Sequence, residues 1–371
     1  MAGEGLKQKW VGLRNRIISR PAFQSWAARF VFTRSVSRIR ARRLFDIIAG
    51  FTYSQTLFAC VEGGVIARLE AGAASSAELG QTARLDADAT RRLLRAAAAL
   101  GLIEQVADDL WMLGEQGVAL VGNPGAIAMI RHHHLLYADL ADPLGLLRGE
   151  RSGPGALAGY WPYALGDGSE GGNRDAVSPY SQLMSASQPM VADQVVRVWR
   201  FGQHRRMLDV GGGSGAFIAA VARQTPALEF GLFDLPAVTA IGQQQLAAQG
   251  VAVNAHPGDF RNDAIPQGYD LVTLVRILHD HDDALALSLL KKVRAAMPAG
   301  GTLLVAEPMA GTRGAEAMAD AYFGFYLLAM GSGRARTAQE IGAMLTSAGF
   351  ASWREMPTGL PIVTRVIAAT T

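Results

Sequence analysis

The run Asp209-Val210-Gly211-Gly212-Gly213-Ser214-Gly215-Ala216-Phe217 constrains the fold of this chain more than any other feature. An apolar segment, Met207-Leu208-Asp209-Val210, leads into it, and residues 217–223 beyond it read as a helix. Glycines between a strand and a helix let the main chain approach a ligand without a Cβ clash, and the helix N-terminus presents unpaired N–H groups. Such a unit belongs in a parallel α/β sheet, with its ligand outside the carboxyl end of the strand. The loop alone leaves that ligand open. Gly211-x-Gly213-x-x-Ala216 also fits the dinucleotide fingerprint, and Asp234, about 20 residues on, stands where a ribose-binding acid belongs.

The pattern around the loop agrees with an α/β sheet. Residues 207–210, 228–233, 251–255, 271–275 and 302–306 read as strands alternating with helices, which predicts a doubly wound parallel sheet. Residues 352–355 and 361–368 are expected as a hairpin at its edge. Half the residues are hydrophobic and 18% are charged, enough apolar surface for a large core and too little polarity for extensive disorder. Cys60 is the single cysteine, so no internal disulfide forms, as suits a reducing compartment.

Chemistry-bearing residues cluster at the strand ends. Asp209, before the glycines, would crowd a pyrophosphate but can hold an ammonium group through water or a backbone amide. Gly258-Asp259-Phe260 follows the third strand, where an acid and an aromatic ring can hold an adenine. Arg276-Ile277-Leu278-His279-Asp280-His281-Asp282-Asp283 follows the fourth strand and aims His279 at the ligand crevice. Glu307 ends the fifth strand, where its carboxylate could fix the tautomer of His279 and stabilise the imidazolium. His132, His133 and His134 lack the spacing and cysteine partners of a metal site, and no metal is expected.

The first half reads differently. Residues 1–44 carry eleven Lys or Arg and one acid, Glu4, interleaved with Trp10, Leu13, Ile17, Phe23, Trp26 and Phe30. This is the pattern of an interfacial amphipathic helix, or of an arm that packs on a partner subunit. Residues 45–70 read as one apolar helix broken near Gly63-Gly64. Its uncharged stretch, 47–61, is shorter than the roughly 20 residues a spanning helix needs, so no transmembrane segment is expected. Residues 76–113 give helix, turn, helix, hairpin, the order of a winged helix. Arg91, Arg92 and Arg95 on its second helix would suit DNA phosphates, or the unit serves only packing and dimerisation, which the enzymatic look of the rest favours. Residues 150–178 read as a Gly-, Ser- and Pro-rich connector, followed by a helix over 179–199.

Together these motifs resemble the class I S-adenosylmethionine-dependent small-molecule O-methyltransferases that carry an N-terminal winged-helix dimerisation domain. The similarity runs over residues 45–371 and is carried by residues 208–215, Phe233-Asp234-Leu235-Pro236, Gly258-Asp259-Phe260, Leu278-His279-Asp280 and residues 300–307. Phe45-Asp46-Ile47-Ile48-Ala49-Gly50-Phe51, His133-His134-Leu135-Leu136-Tyr137 and Tyr180-Ser181-Gln182-Leu183-Met184 resemble a narrower group. These are the carotenoid hydroxyl methyltransferases of purple photosynthetic bacteria, the demethylspheroidene (hydroxyneurosporene) O-methyltransferases.

The resemblance implies a Rossmann-like catalytic domain over 179–371, a mostly helical winged-helix dimerisation domain with its connector over 45–178, and a basic arm over 1–44. It implies S-adenosylmethionine as cofactor, His279 as proton acceptor with Glu307 beside it, and cofactor contacts from Asp209, Gly211, Gly213, Asp234, Leu235, Asp259, Phe260 and Arg276. Flexible apolar side chains such as Met184, Met190, Phe323, Tyr326 and Met330 would accept a long apolar substrate, or are ordinary core, which is the reading each favours taken alone. The implied assembly is a homodimer acting on a hydrophobic small molecule, without nucleic acid. The expected place is the cytoplasm, with peripheral contact of residues 1–44 to the inner or intracytoplasmic membrane. Two positions depart from the family pattern: His281 stands where Trp is common, and Ala335 precedes Arg336-Thr337 where plant members have a second Glu.

Overall fold

A computed structural model of the chain describes residues 2–150, 153–160 and 174–371. Two compact units divide it, Met1–Val121 and Gly122–Thr371.

The first unit begins with helices Ala2–Ile18, Pro21–Arg29 and Arg34–Glu62. The third runs unbroken through residues 44 and 45, so the basic arm is not separate from the apolar helix behind it. It is long and apolar enough to cross a membrane by length and composition. The break at Gly63-Gly64 is present, with Gly64 in the left-handed region at φ 71°. Strand β1 (Ala74–Ser75) then leads into helix Ser76–Ala83, whose first turn is closed by a capping box between Ser75 and Glu78. Helix Ala87–Ala99, N-capped by Asp86, and the antiparallel hairpin of β2 (Ile103–Ala107) and β3 (Leu110–Leu113) complete the expected order. Arg91 and Arg92 both pair with Asp88 on their own helix.

The second unit opens with helices Pro124–Asp139, Pro143–Arg148 and Ala156–Tyr160. The division of the chain therefore falls near residue 121 rather than at the expected 178, because these helices cluster with the catalytic sheet. Much of the connector, residues 161–173, lies outside the described residues. Helix Arg174–Val198 then leads into the sheet.

Seven strands form that sheet: β4 (Arg206–Val210), β5 (Glu229–Asp234), β6 (Asn254–Pro257), β7 (Leu271–Val275), β8 (Thr302–Glu307), β9 (Ser352–Met356) and β10 (Arg365–Thr370). Their order is β6-β5-β4-β7-β8-β10-β9. The first five are parallel, and the expected hairpin is antiparallel at one edge. Strands β7 and β8 are buried along their whole length, as continuous apolar runs covered on both faces must be. Strand β6 starts three residues later than its apolar pattern suggests, since the N–H of Val251 closes the preceding helix on Leu246 O. Chain order reverses between β4 and β7. Ligands of open α/β sheets bind at such a switch point, and the glycine loop and the His279 turn are the segments that leave these two strands.

Candidate active site

Main-chain shape comes first. Gly211, Gly213 and Gly215 all have positive φ, at 71°, 58° and 77°. A Cβ on Gly211 would strike Ile277 at 2.4 Å, whereas Gly213 faces open space. The N–H of Gly213 donates to Asp234 Oδ2 at 2.8 Å and that of Leu235 to Oδ1 at 2.7 Å, which fixes the Asp234 carboxylate beside the loop. Asp209 is buried under the loop and accepts from the Thr273 hydroxyl at 2.6 Å. Burial raises its pKa to about 7, and burial with the nearby charge of Asp259 raises that of Asp234 to about 6. Three acids converging on an open glycine cradle repel one another, and a cationic ligand with hydroxyl donors relieves that repulsion. S-adenosylmethionine has these features, so the residues present fit it.

Asp259 accepts from the N–H of Arg261 at 2.9 Å, and Phe260 lies next to it, half-buried. His281 meets the Phe260 ring edge-to-face at 5.2 Å between centroids. Burial lowers the His281 pKa to about 4, so the ring is neutral and supplies an aromatic neighbour at the position where the family commonly has Trp.

After β7 the chain makes a strained start. Arg276 has φ 61°, and its guanidinium donates to the Ser187 hydroxyl at 2.7 Å. The 3-10 turn Leu278–Asp280 follows. Its first two amides, with that of Ile277, point at one oxygen: Glu307 Oε1 accepts from the N–H groups of Ile277, Leu278 and His279. His279 is buried, with Nδ1 3.7 Å from Glu307 Oε1 and Nε2 3.2 Å from Asp280 Oδ1. Among the described residues Nδ1 has no hydrogen-bond partner. The expected pairing with Glu307 is therefore electrostatic at this distance, and the hydrogen bonds of that carboxylate go to the turn. Burial opposes the charged imidazole, but the carboxylates of Asp280 and Glu307 outweigh it and hold the His279 pKa above its ordinary value, with Arg276 acting against them. Asp280 stands on the second ring nitrogen, a role that sequence reasoning had left to Glu307 alone.

A wall of rings stands over this turn. Residues Ala317–Tyr322 form a π-helix that continues as helix Phe323–Met330. Phe323 meets the His279 ring edge-on at 6.0 Å. The Tyr322 hydroxyl lies 2.8 Å from His133 Nε2, and that of Tyr326 lies 3.0 Å from His132 Nε2. The histidine run thus braces the wall from helix Pro124–Asp139. Met330 is buried in a cluster with Leu136, Leu157 and Tyr326. Met190 is 39% exposed. The side chain of Met184 lies outside the described residues.

A methyl-transfer fold with its cofactor cradle and a buried histidine between carboxylates matches a known class. The O-methyltransferase domain family covers residues 137–351 and the O-methyltransferase dimerisation domain family residues 45–121. The chain belongs to the S-adenosylmethionine-dependent O-methyltransferases, acts on a small molecule and carries the family's means of forming a homodimer. Within the class it is similar to the demethylspheroidene O-methyltransferase of Cereibacter sphaeroides, 40% identical over 356 residues that cover 95% of this chain and 93% of that protein. It is 43% identical to the Rhodobacter capsulatus enzyme of the same name over 336 residues, 90% of this chain and 83% of that protein. Among solved structures, CalO1, a methyltransferase of calicheamicin biosynthesis in its SAH-bound form, superposes with a TM-score of 0.72 at 27% identity, covering 90% of this chain and 98% of that one.

Proposed function

We propose that this enzyme methylates the tertiary hydroxyl of a carotenoid of the demethylspheroidene type, with His279 as general base. The observation that carries the reading is the buried His279 between Asp280 and Glu307, at the sheet's switch point beside the glycine cradle. Similarity to two demethylspheroidene O-methyltransferases along most of the chain supports the acceptor class.

Gly211 and Gly213 would give the cofactor its main-chain approach, Asp209 would serve its ammonium end, Asp234 and Leu235 its ribose, and Asp259 and Phe260 its adenine. When bound, S-adenosylmethionine supplies a methyl group on a sulfonium sulfur. His279 takes the acceptor's hydroxyl proton, and the carboxylates of Asp280 and Glu307 stabilise the resulting cation. General-base catalysis of this kind contributes roughly 10²–10⁴-fold. Arg276, tied to Ser187 and acting on the charge of His279 and Asp280, would add a further contact to the cofactor. The walls formed by Tyr322, Phe323 and Tyr326 are aromatic and suit a long apolar chain.

Such an acceptor resides in membrane. The arm's exposed Trp10, Leu13, Phe32 and Val36, among its many Lys and Arg, support peripheral contact with an anionic membrane surface from the cytoplasmic side.

A panel of hydroxycarotenoids, flavonoids and simple phenols tests the acceptor: turnover confined to phenols would overturn it. His279→Ala tests the base. Binding of S-adenosylhomocysteine should persist while turnover falls by about two orders of magnitude or more; unchanged turnover would remove His279 from the mechanism.

A further inference from the structure

Arg336 is among the most deeply buried side chains, 1% exposed, and it is charged. A guanidinium enters the interior only where its donors are met. Here Nη1 donates to Leu278 O at 2.6 Å and Nη2 to His281 O at 2.8 Å. These carbonyls stand at the start of the 3-10 turn and just past its end, on either side of His279. Nε and Nη2 also donate to Asp283 Oδ1, at 2.9 and 2.7 Å, which balances the charge. The carbonyl of Arg336 accepts from Ala310 N at 3.0 Å, anchoring its own segment to the loop after β8.

The neighbours of Arg336 hold the same turn. Ser332 Oγ donates to Asp280 O at 2.6 Å. Gly333, at φ 87°, passes so close that a Cβ would lie 2.1 Å from His279 O. Arg334, by contrast, pairs at the surface with Asp283 and Glu340 and does not reach the turn's carbonyls.

We propose that Arg336 is a positioning residue for proton transfer: its guanidinium ties both ends of the turn that carries His279, and with Ser332 it fixes the distance of the imidazole from Glu307. The inference rests on the assignment of His279 as base. Glu307 holds the turn by its amides and Arg336 holds it by its carbonyls, so the turn is gripped from both sides. A planar fork with five donors spans two carbonyls and a carboxylate; a lysine ammonium at the same site does not. The charged groups facing the imidazole are Asp280, Glu307 and Arg276. Loosening the turn moves the ring from the carboxylates into a less biased field and lowers its pKa toward the ordinary value.

The test compares full-length Arg336→Lys, Ser332→Ala, Arg334→Met and His279→Ala. Turnover of demethylspheroidene is followed against pH, and S-adenosylhomocysteine affinity by calorimetry. In Arg336→Lys kcat should fall about tenfold or more, since misplacing a reacting group by an ångström costs up to about 10²-fold. Cofactor affinity should stay within about twofold, and the ascending limb of the pH profile should move to lower pH. Ser332→Ala should move the limb the same way by less, and Arg334→Met should leave it in place. An unmoved limb in both Arg336→Lys and Ser332→Ala overturns the proposal, as does a loss of activity that only follows loss of folded protein. If His279→Ala turns over like the parent, the base assignment has failed. If His279→Ala is inactive while Arg336→Lys and Ser332→Ala are unchanged, only the positioning role has.

Discussion

Glu307 Oε1 stands 3.7 Å from His279 Nδ1 while accepting the main-chain N–H groups of Ile277, Leu278 and His279. One carboxylate thus supplies both charge and shape, and two substitutions separate them. Glu307→Gln keeps an oxygen for the amides and removes the charge. The His279 pKa, held above 6.5 by Asp280 and Glu307 against burial, should fall, so the ascending limb of kcat against pH moves to lower pH with a modest loss at its plateau. Glu307→Ala orphans two buried amides and one part-buried amide, each buried one costing about 1–3 kcal/mol, and should lose most turnover at every pH. Equal profiles for the two variants would mean that the amide contacts have no part, and a Glu307→Gln profile matching the parent's would mean that the charge has none.

Asp234 ties the glycine loop to the strand beyond it through Gly213 N and Leu235 N. Removing the carboxylate in Asp234→Ala leaves two amides without acceptors, at about 1–3 kcal/mol each, so S-adenosylhomocysteine affinity should drop by about tenfold to a hundredfold. Its pKa is raised to about 6 by burial and the charge of Asp259. The folded chain without cofactor therefore holds this proton more tightly than the unfolded chain does. The associated stability is full below the ordinary value of 3.8 and is lost as pH rises through about 6. Ligand hydroxyls donate to the ionised form, so affinity should climb over the same interval. Calorimetric titrations from pH 5 to 8 read the climb, and Asp234→Asn should flatten its lower part. A parent affinity independent of pH would contradict the assignment of Asp234 to the cofactor.

The parts of this molecule legible in its sequence are those where one residue type has one physical use. Glycines of positive φ between Val210 and Ala216, continuous apolar runs at β7 and β8, and the caps at Ser75 and Asp86 each marked an element. Less legible were features that depend on distant partners. Strand β6 was misplaced because Val251 and Val253 look like strand but follow a turn closed on Leu246. The unit boundary near residue 121 was hidden because it depends on which elements Pro124–Asp139 meets in space. Met330 reads equally as a pocket residue or as core, and its packing with Leu136, Leu157 and Tyr326 depends on segments far apart in the chain. Arg336 was visible only as part of an Arg-Thr pair; its burial against Leu278 O could not be inferred from spacing. The π-helix at Ala317–Tyr322 leaves no periodic signal in an apolar run only a few residues long.

That π-helix makes a prediction of its own. His133 is kept neutral by burial, its pKa lowered, and its Nε2 lies 2.8 Å from the Tyr322 hydroxyl. Tyr322→Phe removes the hydroxyl and should cost about 1–3 kcal/mol, or about 2–4 °C in Tm per kcal/mol for a unit of this size. Phe323, which meets the His279 ring, is the next residue. The KM for the acceptor should therefore rise while S-adenosylhomocysteine affinity holds. A double-mutant cycle of Tyr322→Phe with His133→Leu should return a coupling of about 0.5–3 kcal/mol. Strict additivity would show that the two side chains are merely adjacent.

The arm makes the remaining prediction. Leu6, Trp10, Leu13 and Ile17 are exposed on helix Ala2–Ile18 among Lys7, Lys9, Arg14 and Arg16. Each basic residue near an anionic surface contributes about 1 kcal/mol, and the attraction fades within a Debye length of about 8 Å at physiological salt. Binding to phosphatidylserine-rich vesicles should fall when residues 2–20 are deleted and also when salt is raised, whereas binding to neutral vesicles should be weak throughout. Replacing Trp10 and Leu13 by Ser should weaken binding even at low salt, because apolar insertion does not depend on charge. Deletion at residue 44 would cut helix Arg34–Glu62 and confound membrane binding with folding, so the shorter deletion is the informative one. Equal sedimentation of parent and deletion with anionic vesicles would reassign the arm to subunit contact. A loss of dimer in the deleted form, read by light scattering, would support that reassignment.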